Sequence, residues 1–152
     1  MTAITPKATN HAGLGPHDSR FVRVADLPWE KAMFEGVEFK TLLMDRERGL
    51  MTVLLRMAPG ARLPDHEHVL LEQTYVLEGR LVDRDGECGP GDFVYRPPGS
   101  RHEAWTPEGG LMLAVFQMPN KFFLPDGRVL DFVGGDWAEK WGEAARAAGI
   151  AG

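Results

Sequence analysis

The chain has 152 residues, 43% hydrophobic and 26% charged, long enough for one real core and too apolar for a disordered chain. Its net charge of −5, with no basic cluster, gives no electrostatic case for nucleic acid. A single cysteine, Cys88, excludes an intrachain disulfide and a cysteine-rich zinc module, and fits a reduced cytoplasmic setting.

Residues 1–19 are polar and broken by Pro6, Gly13, Gly15 and Pro16; they are expected as a flexible arm, with His11 and His17 solvated. The start lacks the apolar stretch of a signal peptide, and no apolar run approaches the ~18 residues of a membrane span. One domain is expected over 20–152. Phe21 to Leu27 reads as a first short strand, with a turn at Pro28, Trp29 and Glu30. Gly36 to Met44 alternates in part. Leu50 to Met57 alternates cleanly, with Met51, Val53, Leu55 and Met57 on one face and Thr52 and Arg56 marking the other.

Pro59 and Gly60 turn the chain into a stretch carrying His66 and His68, which alternation places on one face. Glu72 to Glu78 is the next strand: with Glu72 inward, Thr74 and Val76 also point in, and Tyr75 and Leu77 point out. Gly79 ends it. Leu81 to Arg84 leads into the hairpin signal Asp85–Gly86, with Cys88 after it as a small apolar filler. Asp92 to Arg96 is short, and Pro97–Pro98–Gly99 forces a turn before His102. Ala104 and Thr106 share the face of His102, and Glu103 and Trp105 take the opposite one.

Leu111 to Met118 is almost wholly apolar and is expected as a central strand buried on both faces. Its Gln117 is then buried, satisfied by backbone or lining the cavity. Phe122 to Leu124 and Arg128 to Leu130 flank a turn at Pro125–Asp126–Gly127. The tail changes period. Asp136 three residues before Glu139 resembles a capping box, and Trp137, Trp141, Ala144, Ala145 and Ala148 repeat at helical spacing before Gly149. A helix over 136–148 is expected.

About nine to eleven short strands with one terminal helix point to an antiparallel sandwich or barrel. His66, His68, Glu72 and His102 offer three imidazoles and a carboxylate. That donor set suits Fe, Mn, Ni, Cu, Co or Zn rather than calcium. On a six-coordinate ion it leaves two positions, so no 2-oxoglutarate co-substrate is expected. No general base is evident; Arg56, Thr74, Ala104, Thr106 and Gln117 are the candidates for a pocket wall, Arg56 reading first as a surface or interface residue.

Gly60, five residues, His66-x-His68, three residues, Glu72, six residues and Gly79 resemble the first cupin motif at every anchor. Gly91, five residues, Pro97-x-Gly99, two residues and His102 resemble the second, with Thr106 where that motif usually has Asn. The wider pattern, with LPW near the start, VLEGRLVDRDG and YRPPGSRHEAW, is similar to the ChrR-like cupins. These include the cupin domain of ChrR-type anti-sigma factors and small dioxygenases acting on diketones and hydroxyacetophenones.

The resemblance implies an all-β cupin jelly roll with a C-terminal helix. It implies one divalent transition metal per subunit on His66, His68, Glu72 and His102, Fe(II) favoured and Zn, Ni or Mn as alternatives. The function implied is a metal-dependent dioxygenase taking O₂ and a small diketone or hydroxyketone. The alternatives are a ChrR-like metal- or ligand-sensing module and a non-redox Zn or Ni isomerase or lyase. Outward apolar residues, Tyr75, Leu77 and Trp105 among them, lead us to expect a homodimer or larger homo-oligomer.

Overall fold

A computed structural model describes residues 3–150. Two six-stranded antiparallel sheets enclose one core. The first runs, in spatial order, β1 (Glu30–Lys31), β2 (Val37–Asp45), β3 (Leu50–Met57), β10 (Gly110–Gln117), β5 (Glu72–Gly79) and β8 (Phe93–Arg96). The second runs β12 (Val129–Leu130), β11 (Lys121–Phe123), β4 (Arg62–Glu67), β9 (Arg101–Trp105), β6 (Leu81–Asp83) and β7 (Gly86–Cys88). From β3 to β11 the chain changes sheet at every connection except the β6–β7 hairpin. This is the jelly-roll winding, and it brings residues far apart in sequence to one interior.

Alternation decides what that interior contains. On β3, Met51, Val53, Leu55 and Met57 are buried, while Arg56 is exposed. On β5, Thr74 and Val76 are buried, while Tyr75 and Leu77 are 44% and 43% exposed. Each fully buried Val or Met contributes ~1.5–3 kcal/mol of transfer free energy. Gly79 closes β5 at φ 71°, and a Cβ there would collide with the Gly109 carbonyl. The motif glycine is therefore a packing requirement as well as a turn.

The terminal helix α1 (Trp137–Ala147) begins at Asp136, whose side chain accepts from Glu139 N at 3.0 Å. It docks on the chain's own sheets through Trp137 and Trp141, both buried. Trp141 Nε1 donates to Asp131 Oδ2 at 3.0 Å, and Trp137 Nε1 donates to the Pro119 carbonyl at 2.8 Å. Among the described residues, no helix is long and apolar enough to cross a membrane.

Three stretches differ from expectation. Phe21 to Leu27 is not a strand: it closes a 3-10 turn at Val24–Asp26, whose Val24 carbonyl accepts from Lys40 Nζ at 2.8 Å, and Phe21 is exposed. The pairing is made instead by β1, which lies where a turn was expected. The arm is partly tied down, since Ile4 exchanges two backbone hydrogen bonds with Met44 and Thr5 Oγ1 donates to the Leu42 carbonyl at 2.6 Å. Finally, β10 is central but buried on one face only: Met112, Ala114 and Phe116 are buried, and Leu111, Leu113 and Val115 are half-buried.

Candidate metal centre

The histidines gather because two short strands pair. β4 and β9 place His66 directly opposite His102, across a register shift between Leu63 and His66. His68 follows β4 and is pinned by backbone bonds: its N–H donates to the Ser100 carbonyl at 2.8 Å, and its carbonyl accepts from Gly99 N at 2.7 Å. The Pro97–Gly99 turn thus presses the loop before His102 against His68. The three ring centroids stand 4.8 to 4.9 Å apart, an almost equilateral triangle. All three side chains are buried.

Each ring has an acceptor at Nδ1. His66 Nδ1 lies 2.7 Å from the Pro64 carbonyl, and His102 Nδ1 lies 3.3 Å from Asp83 Oδ2. His68 Nδ1 lies 2.6 Å from Glu72 Oε2, close but off the axis of a directed hydrogen bond. The Nε2 atoms therefore face inward, with those of His68 and His102 2.9 Å apart. Lone pairs at that distance repel, and a shared cation relieves them. Carbonyl and carboxylate partners on the far nitrogen are the usual supports of metal-binding imidazoles.

The electrostatics favour the same state. Burial, with His68 close by, pushes His66 down to about 4. Burial and the nearby Arg96 push His102 down to about 4. Both rings are then neutral at pH 7, the form a metal requires. Burial works to raise Glu72, but His68, His66 and the Thr74 hydroxyl outweigh it and hold the carboxyl at about 2. Asp83 is also held below the ordinary range, its burial outweighed by the Asp85 N–H and by Arg96. Its Oδ1 accepts from Asp85 N and Gly86 N, and its Oδ2 takes the Arg96 guanidinium, so it braces His102 with its valences filled.

The first sheet supplies the opposite wall. Thr74 Oγ1 donates to Glu72 Oε1 at 2.9 Å, and Asn120 Nδ2 reaches Glu72 Oε2 at 3.4 Å. The cavity between the walls is small, about 30 Å³, and its apolar lining includes Val53, Leu55, Met112, Phe116, Phe122 and Phe132. That holds a water or two, so any larger ligand at the histidines requires the apolar wall side chains to turn aside. A larger open cleft of about 590 Å³, bordered by Met33 to Gly36 and Ala58 to Arg62, contains none of the histidines.

Of the pocket candidates, Thr74 and Ala104 line the cavity. Arg56 does not: it is exposed, paired with Glu38 at 3.0 Å and stacked over Trp29 at 3.9 Å. Gln117 does not either, and it is exposed, because inward Phe116 puts its neighbour on the outer face. Thr106 is fully buried but lies off the cavity wall. Its backbone carries its role, accepting from Gly60 N and donating to the Ala61 carbonyl, which fastens the entry to β4. Residues missed from sequence are Arg96, Asp83 and Asn120. Arg96 had a signal, since it shares inward parity with Val94 on β8; Asn120 sits between strands, where no periodicity points to it.

No curated protein matches the sequence. The family model of the ChrR cupin-like domain matches residues 17–121. Among solved structures, an acetylacetone dioxygenase from Acinetobacter johnsonii aligns with a TM-score of 0.66 at 19% identity, over 86% of this chain and 91% of that one. The polyketide cyclase RemF from Streptomyces resistomycificus aligns at 0.57 and 22%, over 86% and 94%. A chain of the complex of Rhodobacter sphaeroides SigE with the anti-sigma ChrR aligns at 0.53 and 27%, over 62% of this chain and 50% of that one. The dioxygenase and the cyclase establish a shared fold and nothing finer.

Proposed function

The chain belongs to the ChrR cupin-like family, and from that membership we propose that it is a metal-dependent oxygenase, a dioxygenase acting on a small diketone or hydroxyketone. The observation that carries the metal is the triangle of inward Nε2 atoms, each ring held by an acceptor behind it. His66, His68 and His102 would hold one divalent ion per subunit, Fe(II) by preference, with Zn, Ni or Mn as alternatives. Glu72 is the proposed fourth ligand; in this arrangement its Oε2 stands at His68 Nδ1, backing the ring.

When bound, the ion would supply Lewis acidity toward a chelated carbonyl and, as iron, redox chemistry toward O₂. The chain's own residues do the rest. Apolar side chains keep bulk water from the site and strengthen its charges. Asp83 and the Pro64 carbonyl fix ring orientation. Arg96, on the cavity wall, adds positive potential that favours the enolate form of a carbonyl substrate. The acetylacetone dioxygenase from Acinetobacter johnsonii, sharing the fold, supports this substrate class.

The 27% likeness to the SigE–ChrR complex favours a second reading, a metal- or ligand-sensing module. Metal analysis of protein purified without added metal, combined with oxygen uptake on small carbonyl compounds, separates the two. Iron with uptake that needs neither reductant nor 2-oxoglutarate supports the oxygenase. Clean zinc and no uptake with the iron-loaded protein moves the assignment to the sensor or to a non-redox isomerase or lyase. We also propose a homodimer or larger assembly, built on the outer face of the first sheet.

A further inference from the structure

The walls of the cavity hold one buried side-chain oxygen with nothing to accept from: Asn120 Oδ1. Asn120 is 6% exposed. Its orientation is fixed by chemistry, because Nδ2 donates toward Glu72 Oε2 at 3.4 Å and the reverse flip would oppose two acceptors. The other polar groups on the first-sheet wall are committed, Thr74 Oγ1 to Glu72 and Arg96 to Asp83.

The turn that presents Asn120 is fixed on both sides. Met118 is the one non-glycine among the described residues with a positive φ, 65°, and its N–H donates to the Gly49 carbonyl at 2.5 Å. Gly49 has room for it only as glycine, since a Cβ would meet the Met118 thioether. The Pro119 carbonyl accepts from Trp137 Nε1 at 2.8 Å, so α1 clamps the turn from outside. A strained turn under two clamps keeps the amide from moving to find another partner.

From this we infer that Asn120 Oδ1 is a specificity group that accepts a hydrogen bond from a hydroxyl of the substrate, which makes the preferred substrate a hydroxyketone rather than a diketone. The inference rests on the proposed carbonyl-chelating site and narrows it. A hydroxyketone bound through its carbonyl carries an O–H that satisfies the amide oxygen. A diketone bound as its enolate carries none and leaves that oxygen buried and unpaired. Sites built around such a hydrogen bond discriminate strongly against ligands that lack it.

The test uses the full chain loaded with zinc, so that no turnover intervenes, and two probes of one carbon skeleton, 4-hydroxypentan-2-one and acetylacetone. Calorimetric affinities are measured for the parent protein, Asn120→Leu and Asn120→Ala, alongside zinc stoichiometry. Both variants should weaken 4-hydroxypentan-2-one about tenfold more than they weaken acetylacetone, because any change passed through Glu72 to the metal acts on both probes alike. Acetylacetone binding is the internal control for an intact site. Equal weakening of both probes, or of neither, in the two variants overturns the assignment while the metal site stands. A parent protein that takes no zinc, or takes zinc and binds neither probe, overturns the underlying functional reading and this inference with it.

Discussion

The two sheets have six strands each but divide the work unequally. In the first, β2, β3, β5 and β10 are eight or nine residues long, and β3 and β10 carry apolar inner faces. In the second, the longest strand is β4 with six residues, and its pairing with β9 is broken by a register shift just before His66. His66 and His102 lie on those shorter strands, and His68 lies directly after one. Long regular pairing gives stability but aims side chains only up or down. A short, shifted pair turns three imidazoles toward one point. Changes to the second-sheet histidines should therefore act on metal binding, and changes to the apolar core positions of the first sheet on folding, with Glu72 on β5 standing between the two.

The largest expected effect tests the second-sheet half of that division. His66→Ala or His102→Ala should weaken divalent-metal binding by ~10³-fold or more, beyond the roughly 10–100-fold that loss of an outer partner costs. Asp83→Asn, which weakens only the brace behind His102, should fall within that smaller range. Glu72→Gln is the informative middle case: a thousandfold loss makes it a ligand, and a smaller one makes it a brace. Competition against a chromogenic chelator gives all the affinities. Full occupancy in a His66→Ala, His102→Ala double variant would sink the site.

Next in size is the first-sheet half. Met57→Ala, 2% exposed at the end of β3 and away from the cavity, should cost ~2–5 kcal/mol of unfolding free energy. One ion per chain should still bind. A denaturant midpoint shift without change in metal stoichiometry is the expected pair of readings. Lost metal binding in a still-folded Met57→Ala protein would break the division.

Acid links the two halves. In the metal-free protein, His66 and His102 are held at about 4, below the ordinary 6.5. Between those values the unfolded chain binds more protons than the folded one. Stability is therefore full above pH 6.5 and falls as the pH drops toward 4, by at most roughly 3 kcal/mol per histidine. The rings repel each other when charged, so the two losses do not add simply. Glu72, held at about 2, loses its contribution in the same direction at lower pH. Denaturant midpoints of chelator-treated protein between pH 7 and pH 4 measure this, and a flat profile would contradict the buried neutral imidazoles. Protons should also expel the metal over the same interval.

Much of this was legible from the chain, for a physical reason: local periodicity fixes facing. Thr74 and Val76 inward against Tyr75 and Leu77 outward follows from alternation alone, and α1 follows from its cap and spacing. The histidine spacing was equally plain. Gln117 was misread despite usable parity, because an apolar run suggested two buried faces; Arg96, with the same kind of parity signal, was not singled out. Phe21 to Leu27 has strand-like composition, but its backbone closes a 3-10 turn whose Val24 carbonyl accepts from Lys40, a residue distant in sequence. Asn120 depends on a helix beginning seventeen residues later in sequence and clamping its turn, which no local pattern encodes.

The smallest expected effect on folding concerns the face of the first sheet turned away from the site. Tyr75 lies opposite Phe93 and Leu113, and Tyr95 lies opposite Gln73, which in turn faces Val115. Tyr75, Leu77, Phe93 and Tyr95 are all 43% exposed or more, so β5 and β8 present a continuous apolar strip. Trp105, expected in the same surface, is on the other sheet and half-buried under the Arg62 guanidinium at 4.7 Å. The assembly should therefore use β5 and β8 and leave Trp105 out. Tyr75→Lys combined with Phe93→Lys puts like charges directly opposite each other on that strip, which a second copy would have to desolvate. Because both positions are solvent-facing, each should change monomer stability by only about 0.5 kcal/mol. Light scattering should show an oligomer for the parent at micromolar concentration, a monomer for the double variant, and an oligomer for Trp105→Lys. A monomeric parent would remove the assembly, and a monomeric Trp105→Lys would move it to the second sheet.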